Sequence, residues 1–348
     1  MKAVSAMALL GLVLGAGTAQ TQDLSSIPEY VPRVQVSGTI RIAGDYHQRV
    51  MLQNWERGFL KYQPGVTFKD NLTSTVHGIP ALVFDLADLG LLGREIAPLE
   101  NLSFRRMFKY DPTEIVTATG SYDTQYEAYA LGIFVNQQNP LSHLTLQQAA
   151  EIFGCGPGRN LRTWGRLGLT GAWANKPIHV FGYPTTNNIA DFFELKVLQA
   201  PAAGGPTLPG GARWNCDLKE YENTYDANDR PVVSSDEKMM KDLGTDKYAI
   251  AYSGVAAPTP EVKSLALASR PGAPYVTFSR ANVADRSYPL TRSMYIYFNA
   301  APGKPLRPEI EEFLRFILSR QGQQAVAGQN IFLPLTPRAV EEGREKLP

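Results

Sequence analysis

Apolar and polar residues change period repeatedly along this chain, and each change marks an element. Thr39-Ile40-Arg41-Ile42-Ala43-Gly44 alternates and stops at a glycine, which predicts a short strand. From Gln53 to Tyr62 the spacing is helical, with Leu52, Trp55, Phe59 and Leu60 as the apolar positions. Pro64-Gly65 closes that helix, and a second strand runs from Val66 to Leu72. The turn Thr73-Ser74-Thr75-Val76-His77-Gly78 leads into a helical patch from Ile79 to Leu86, and a third strand opens at Asp88-Leu89-Gly90. This repeating order of strand, loop and helix predicts a parallel sheet with helices on both faces. Ligands of such open sheets sit beyond the carboxyl ends of the strands, so the loops after residues 43 and 72 are candidate cleft loops.

The same order resumes further on. Tyr129 to Val135 predicts a strand, and Leu144-Thr145-Leu146 opens a helix through Ile152-Phe153 with Thr145 as its N-cap. Pro177 to Gly182 predicts a strand and Asn188 to Leu198 a helix with Phe192, Phe193 and Val197 on one face. Residues 200 to 213, rich in Ala, Gly and Pro, form a loop; Lys238 to Leu243 and Tyr248 to Tyr252 read as a helix end and a strand. The stretch from Tyr288 to Leu335 combines a short aromatic strand, a helix from Glu309 to Ser319 ended near Gly322, and a Leu-Pro-Leu exit. In that helix Ile310, Phe313, Phe316 and Ile317 form the core face.

At 348 residues, 44% hydrophobic and 19% charged, the chain is long enough for two domains of ordinary size. A net charge of +1 creates no strong field, so nothing favours nucleic acid or an anionic membrane surface as partner. Lys2, the apolar run from Ala6 to Val13 and the small residues from Gly15 to Ala19 predict a secretory signal over residues 1–19, followed by a poorly ordered leader over 20–36. That apolar run is far short of the roughly 20 residues that span a bilayer, so no stable membrane insertion is expected after cleavage. The expected location is periplasmic or secreted. In such an oxidising compartment Cys155 and Cys216 are predicted to bridge, with two separate buried thiols as the alternative. No Gly-x-Ser-x-Gly or His-Glu-x-x-His pattern occurs, so catalysis has no positive support and no cofactor is expected.

Five ordered blocks resemble the PstS-like family of periplasmic phosphate-binding proteins. They are Ile42-Ala43-Gly44 with Trp55 and Phe59; Gly78-Ile79 with Ala87-Asp88 and Arg94; Val135-Asn136 with Asn139-Pro140-Leu141, Leu144-Thr145-Leu146 and Ile152-Phe153-Gly154; Phe192-Phe193; and Tyr288 to Leu335. The resemblance implies an α/β type II solute-binding fold, two lobes joined by a hinge. Lobe one would be residues 37–125 plus 255–348 and lobe two residues 126–254. It also implies capture of a small solute, phosphate or another oxyanion, in the cleft, delivery to an ABC permease, and a monomer.

The resemblance also locates the ligand loops. The family's first loop has a hydroxyl residue where this chain reads Gly44-Asp45-Tyr46-His47, its second loop coincides with Ser74 and Thr75, and its third places an Asp or Ser at Gly93, followed here by Arg94. In the second lobe the family's arginine, then Ser-Gly-Thr, are replaced by Tyr183 and by Asn187-Asn188-Ile189. The arginine that would clamp an anion is therefore missing from its usual place. Ser74, Thr75, Asn187 and Asn188 are also ordinary helix-capping residues, and Tyr46 and Tyr183 are ordinary packing aromatics. His47 and His77 with Asp45 would suit a transition metal, although their spacing matches no metal motif and polar-loop histidines are more often plain surface residues. The alternative function is an envelope protein that keeps this scaffold, has lost phosphate binding, and binds another ligand or a protein partner.

Overall fold

The structure, a computed structural model, describes residues 23–124, 129–156, 161–198, 214–228, 231–254 and 259–347. The expected signal at 1–19 and the loop at 200–213 lie outside the described residues.

Two five-stranded sheets carry the chain. In the first, the strand order is Gly65–Leu72, Ser37–Gly44, Leu89–Leu92, Ser293–Phe298, Thr113–Thr119. Ser37–Gly44 pairs parallel with both neighbours, which follows the strand and helix alternation read from the sequence. The returning strand Ser293–Phe298 is antiparallel to Leu89–Leu92 and Thr113–Thr119. All of its residues are buried, because helices cover both faces of the sheet. Helix Arg49–Phe59 begins four residues earlier than the expected Gln53 and packs Met51, Leu52, Trp55 and Phe59 inward. The Trp55 indole donates to the Gly322 carbonyl oxygen at 2.9 Å.

The second sheet runs Val262–Ser264, Gly132–Asn136, Ala249–Ser253, His179–Gly182, Lys219–Glu220. Its core centres on Tyr252, whose ring stacks on Phe193 with centroids 4.1 Å apart, and on Phe153. Two chain crossings join the sheets and hydrogen-bond to one another: the Gly120 N–H donates to the Arg292 oxygen at 2.9 Å and the Leu131 N–H to the Leu290 oxygen at 3.1 Å. That pair of strands is the hinge.

Several expectations need correction. The return to the first lobe does not come at 254/255: Val262–Ser264 pairs with Gly132–Asn136, and Leu265, Leu267, Phe278, Val283, Tyr288 and Leu290 belong to the second lobe's core. The strands of this segment are only three residues long, too short to show a period. The leader is docked from residue 23 onward: Ile27 and Tyr30 are buried, and the Tyr30 hydroxyl donates to Glu312 Oε2 at 2.6 Å. Low apolar content hid this, since two well-placed side chains suffice. Gly322 does not end the last amphipathic helix. Pro308–Ile317 stops before it, and Gly322 lies inside a second helix, Arg320–Ala327, opened by Ser319. The expected helix Asn188 to Leu198 is α-helical over Asn188–Phe193 and closes with a π turn over Glu194–Leu198. Finally, Cys155 and Cys216 are free thiols with sulfurs 3.8 Å apart, in contact but well beyond the roughly 2.05 Å of a bond.

Candidate functional site: the interlobe cleft

The carboxyl ends of the first lobe's parallel strands bring three of the expected loops together. Asp45 follows Ser37–Gly44 and is 4% exposed; its Oδ1 accepts from the His47 backbone at 3.2 Å and from His47 Nδ1 at 2.9 Å. Burial pushes this carboxyl up, but the His47 contacts and the charge of Arg292 outweigh it and hold it below its ordinary range. Thr75 is buried, and its Oγ1 accepts the Gly93 N–H at 3.3 Å. A Cβ on Gly93 would sit 2.5 Å from Asp45 Oδ2. The Asp45 carboxylate thus fills the space that a side chain at residue 93 would need.

Other expected residues are placed differently. Tyr46 is exposed and tilted against the His47 ring, and Ser74 is half-buried without a side-chain cap bond. Arg94 is buried, with both terminal nitrogens on Glu100 at 2.8 and 2.9 Å, and Glu100 in turn caps the Ala97 N–H at the start of helix Pro98–Phe108. His77 bonds Thr73 Oγ1, and among the described residues no group of three His, Cys, Asp or Glu could hold a metal.

In the second lobe Tyr183 leads inward from the end of His179–Gly182. Its hydroxyl donates to Asp236 Oδ1 and lies 3.1 Å from Ser253 Oγ; Ser253 donates to the same Oδ1 at 2.5 Å and the Tyr129 hydroxyl to Oδ2 at 2.9 Å. Burial, then the Asp236 charge, raise both tyrosine hydroxyls well above their ordinary range, so they remain neutral donors. Three hydroxyls therefore satisfy one buried carboxylate, and none of them is a charged clamp. Asn187 caps helix Asn188–Phe193 by accepting the Ile189 N–H at 2.8 Å, and Asn188 is exposed.

Between these two halves lies Arg292, on the hinge strand itself and 6% exposed. Its Nη2 donates to the Gly93 oxygen at 3.0 Å, its Cζ lies 5.3 Å from the Phe192 ring centre, and among the described residues its Nε has no partner and it makes no ion pair. Burial depresses the guanidinium's pKa, while Asp45, Tyr129 and Glu95 oppose that effect. It is a buried cation placed against loop one, loop three and the second lobe together. Sequence reading missed it. The available signal was a polar triplet, Thr291-Arg292-Ser293, set inside the otherwise aromatic and apolar run from Tyr288 to Phe298.

A family model described as PBP superfamily domain matches residues 32–321. The phosphate-binding protein PstS of Pseudomonas aeruginosa is 30% identical over 348 residues, 99% of this chain and 98% of that protein. This chain is a PstS-like member of the PBP superfamily. Its two-lobed type II fold is shared by PstS from Borrelia burgdorferi, with a TM-score of 0.57 at 13% identity over 86% of this chain and all of that one. An ABC-type phosphate transport receptor from Vibrio cholerae gives a TM-score of 0.55 at 16% identity, covering 85% and 100%. Within this PstS-like frame, Arg292 is a buried cation between the Gly93 loop of the first lobe and Phe192 of the second.

Proposed function

We propose that this chain is an exported receptor that captures phosphate or a related oxyanion between its lobes and presents it to an ABC-type permease. Membership of a family of solute-binding proteins, not enzymes, gives the class of activity. No helix among the described residues is long and apolar enough to cross a membrane. The expected periplasmic or secreted location and action as a monomer belong to the same proposal. So does a lobe division at the hinge strands, with residues 37–120 plus 291–347 forming lobe one and the intervening chain lobe two.

The observation that carries the oxyanion is Arg292. A guanidinium taken out of water with no direct ion pair and an unpartnered Nε is costly, and an anion entering the cleft supplies charge-assisted hydrogen bonds that Asp45, which acts on it only through its field, does not. Thr75 and the backbone around Gly93 offer neutral partners on the same wall. The Asp45 carboxylate on that wall keeps the net field weak, which favours a singly charged or protonated oxyanion over a bare dianion. Closure between the lobes then seals the solute from water.

Titration calorimetry of the chain from residue 20 with phosphate and sulfate tests this. We expect micromolar binding of phosphate and at least a tenfold loss in Arg292→Gln, with the variant's thermal midpoint recorded to show that it folds. No heat with either anion would favour the alternative, a PBP-like envelope protein without phosphate binding, to which the absent second-lobe arginine and the closed Tyr183–Asp236 cluster also point.

A further inference from the structure

Helix Asn188–Phe193 and its π turn Glu194–Leu198 belong to the second lobe, whose core takes in Phe193, Val197 and Leu198. The same short element also reaches the first lobe, at two residues four apart. The Phe192 ring lies against the Arg292 guanidinium, and the Lys196 ammonium pairs with Glu95 Oε1, just beyond strand Leu89–Leu92. We propose that Glu95 and Lys196 form an interlobe latch: their ion pair is made when the lobes close, and as positioning residues the two set how long a captured solute is held.

The carboxylate is held ready for its partner. From the neighbouring strand Ser293–Phe298 the Tyr295 hydroxyl donates to Glu95 Oε1 at 2.6 Å, so little rotamer freedom remains to be lost at that end when Lys196 arrives. Burial pushes the Glu95 carboxyl up, but the Lys196 charge and its hydrogen bond outweigh this and hold it below its ordinary range. Lys196 sits where the helix gives way to the π turn, a departure from α geometry that is frequent at functional sites. The turn buries Val197 and Leu198 in their own lobe while Lys196 crosses to the other. Neighbouring ion pairs differ: Arg94 with Glu100, His179 with Asp246 and Lys219 with Asp242 each stay within one lobe.

Packing does not fill the space around the pair. A cavity of about 350 Å³ is lined by Glu95 and Lys196 and also by Thr291 and Ser293 of the hinge strand. The bridge therefore borders an interlobe gap instead of sitting in a shared core, as suits a contact that breaks and re-forms. An interaction present in one of two states shifts their balance by its own strength. The Lys196 and Glu95 side chains are 35% and 28% exposed, so water and salt screen the pair, and its contribution to closure is about two- to fivefold. That factor falls on release, because dissociation must break the latch whereas association begins before it forms.

The latch rests on the capture of a solute by closure proposed above, so one arm of the test uses no solute. A carbodiimide activates a carboxylate, and an amine in contact with it then displaces the activating group to form an amide. Peptide mapping of the chain from residue 20 should show Glu95 joined to Lys196, and no such product in Lys196→Gln. In the second arm, stopped-flow release of phosphate should be about two- to fivefold faster in Glu95→Gln and in Lys196→Gln, and no faster again in the double variant. The association rate and the unliganded thermal midpoint should not change, which a merely structural role would not give. A chain that cross-links but binds no phosphate would sink the oxyanion reading and leave the interlobe contact standing. The latch is overturned if the cross-link does not form, if release is unchanged in both single variants, or if their effects simply multiply in the double.

Discussion

Tyr183→Phe removes one donor from a carboxylate that water does not reach. Asp236 is 2% exposed and Tyr183 1% exposed. The lost hydroxyl donates to Asp236 Oδ1 and accepts the Gly254 N–H at 3.4 Å. A hydrogen bond to a charged group contributes about 1.5–3 kcal/mol. Ser253 at 2.5 Å and Tyr129 at 2.9 Å still hold Asp236, so the loss should fall near the middle of that range, about 2 kcal/mol, or roughly 30-fold in the unfolding equilibrium. The ring keeps its edge contact with Tyr252 at 5.5 Å, so no cavity cost is added. Urea unfolding of wild type and variant, compared at equal slope, measures the difference. Because the hydroxyl is engaged inside the lobe, phosphate affinity should change by less than about threefold, under 0.7 kcal/mol. A stability loss below about 0.5 kcal/mol, or abolished phosphate binding with unchanged stability, would refute the reasoning: the first would mean the cluster does not depend on this donor, the second that Tyr183 contacts the solute.

Gly322→Ala should destabilise by about 2 kcal/mol in the same assay, since its Cβ would meet the Phe316 and Ile317 carbonyl oxygens at 2.2 and 2.4 Å and overpacking outweighs the roughly 1 kcal/mol gained in helix propensity; a neutral outcome would show that the helix pair can separate. Burial, with the Asp70 carboxylate beside it, pushes Glu56 from its ordinary 4.5 up to about 8. The folded state therefore holds that proton more tightly than the unfolded chain, so its stabilisation is complete below about pH 4.5 and is lost as pH rises through 8. Thermal midpoints should fall across that window in wild type and fall less in Asp70→Asn; equal slopes would discount the pair. Mild oxidation should consume the Cys155 and Cys216 thiols together and raise the thermal midpoint, and Cys216→Ser should abolish both effects, whereas persistent thiols in wild type would mean that the contact does not close.

How legible the chain was depends on whether a function sits in one element or between several. The Tyr288 to Leu335 stretch shows its scaffold role plainly, because buried aromatic strands and amphipathic helices have a period that survives without any partner. The placement of Thr75 and Asp45 was also legible, since each follows a predicted strand. What could not be read was exchange between loops. Gly93 by itself looks like a lost ligand, yet Asp45 Oδ2 lies where its side chain would be, so a neighbouring loop has supplied the carboxylate. Tyr183 looks like a lost charge, yet a buried cation, Arg292, stands against the Gly93 loop from more than a hundred residues later, on a strand whose pattern speaks only of packing. A strand alternates its faces, and at the hinge one of those faces is neither core nor solvent but cleft. The same alternation that buries Met294 and Ile296 sets Arg292 on their face of the strand, where it meets the Gly93 loop instead of the core. The hinge strand thus serves the core and the proposed oxyanion site, and hydrophobic periodicity alone records only the first.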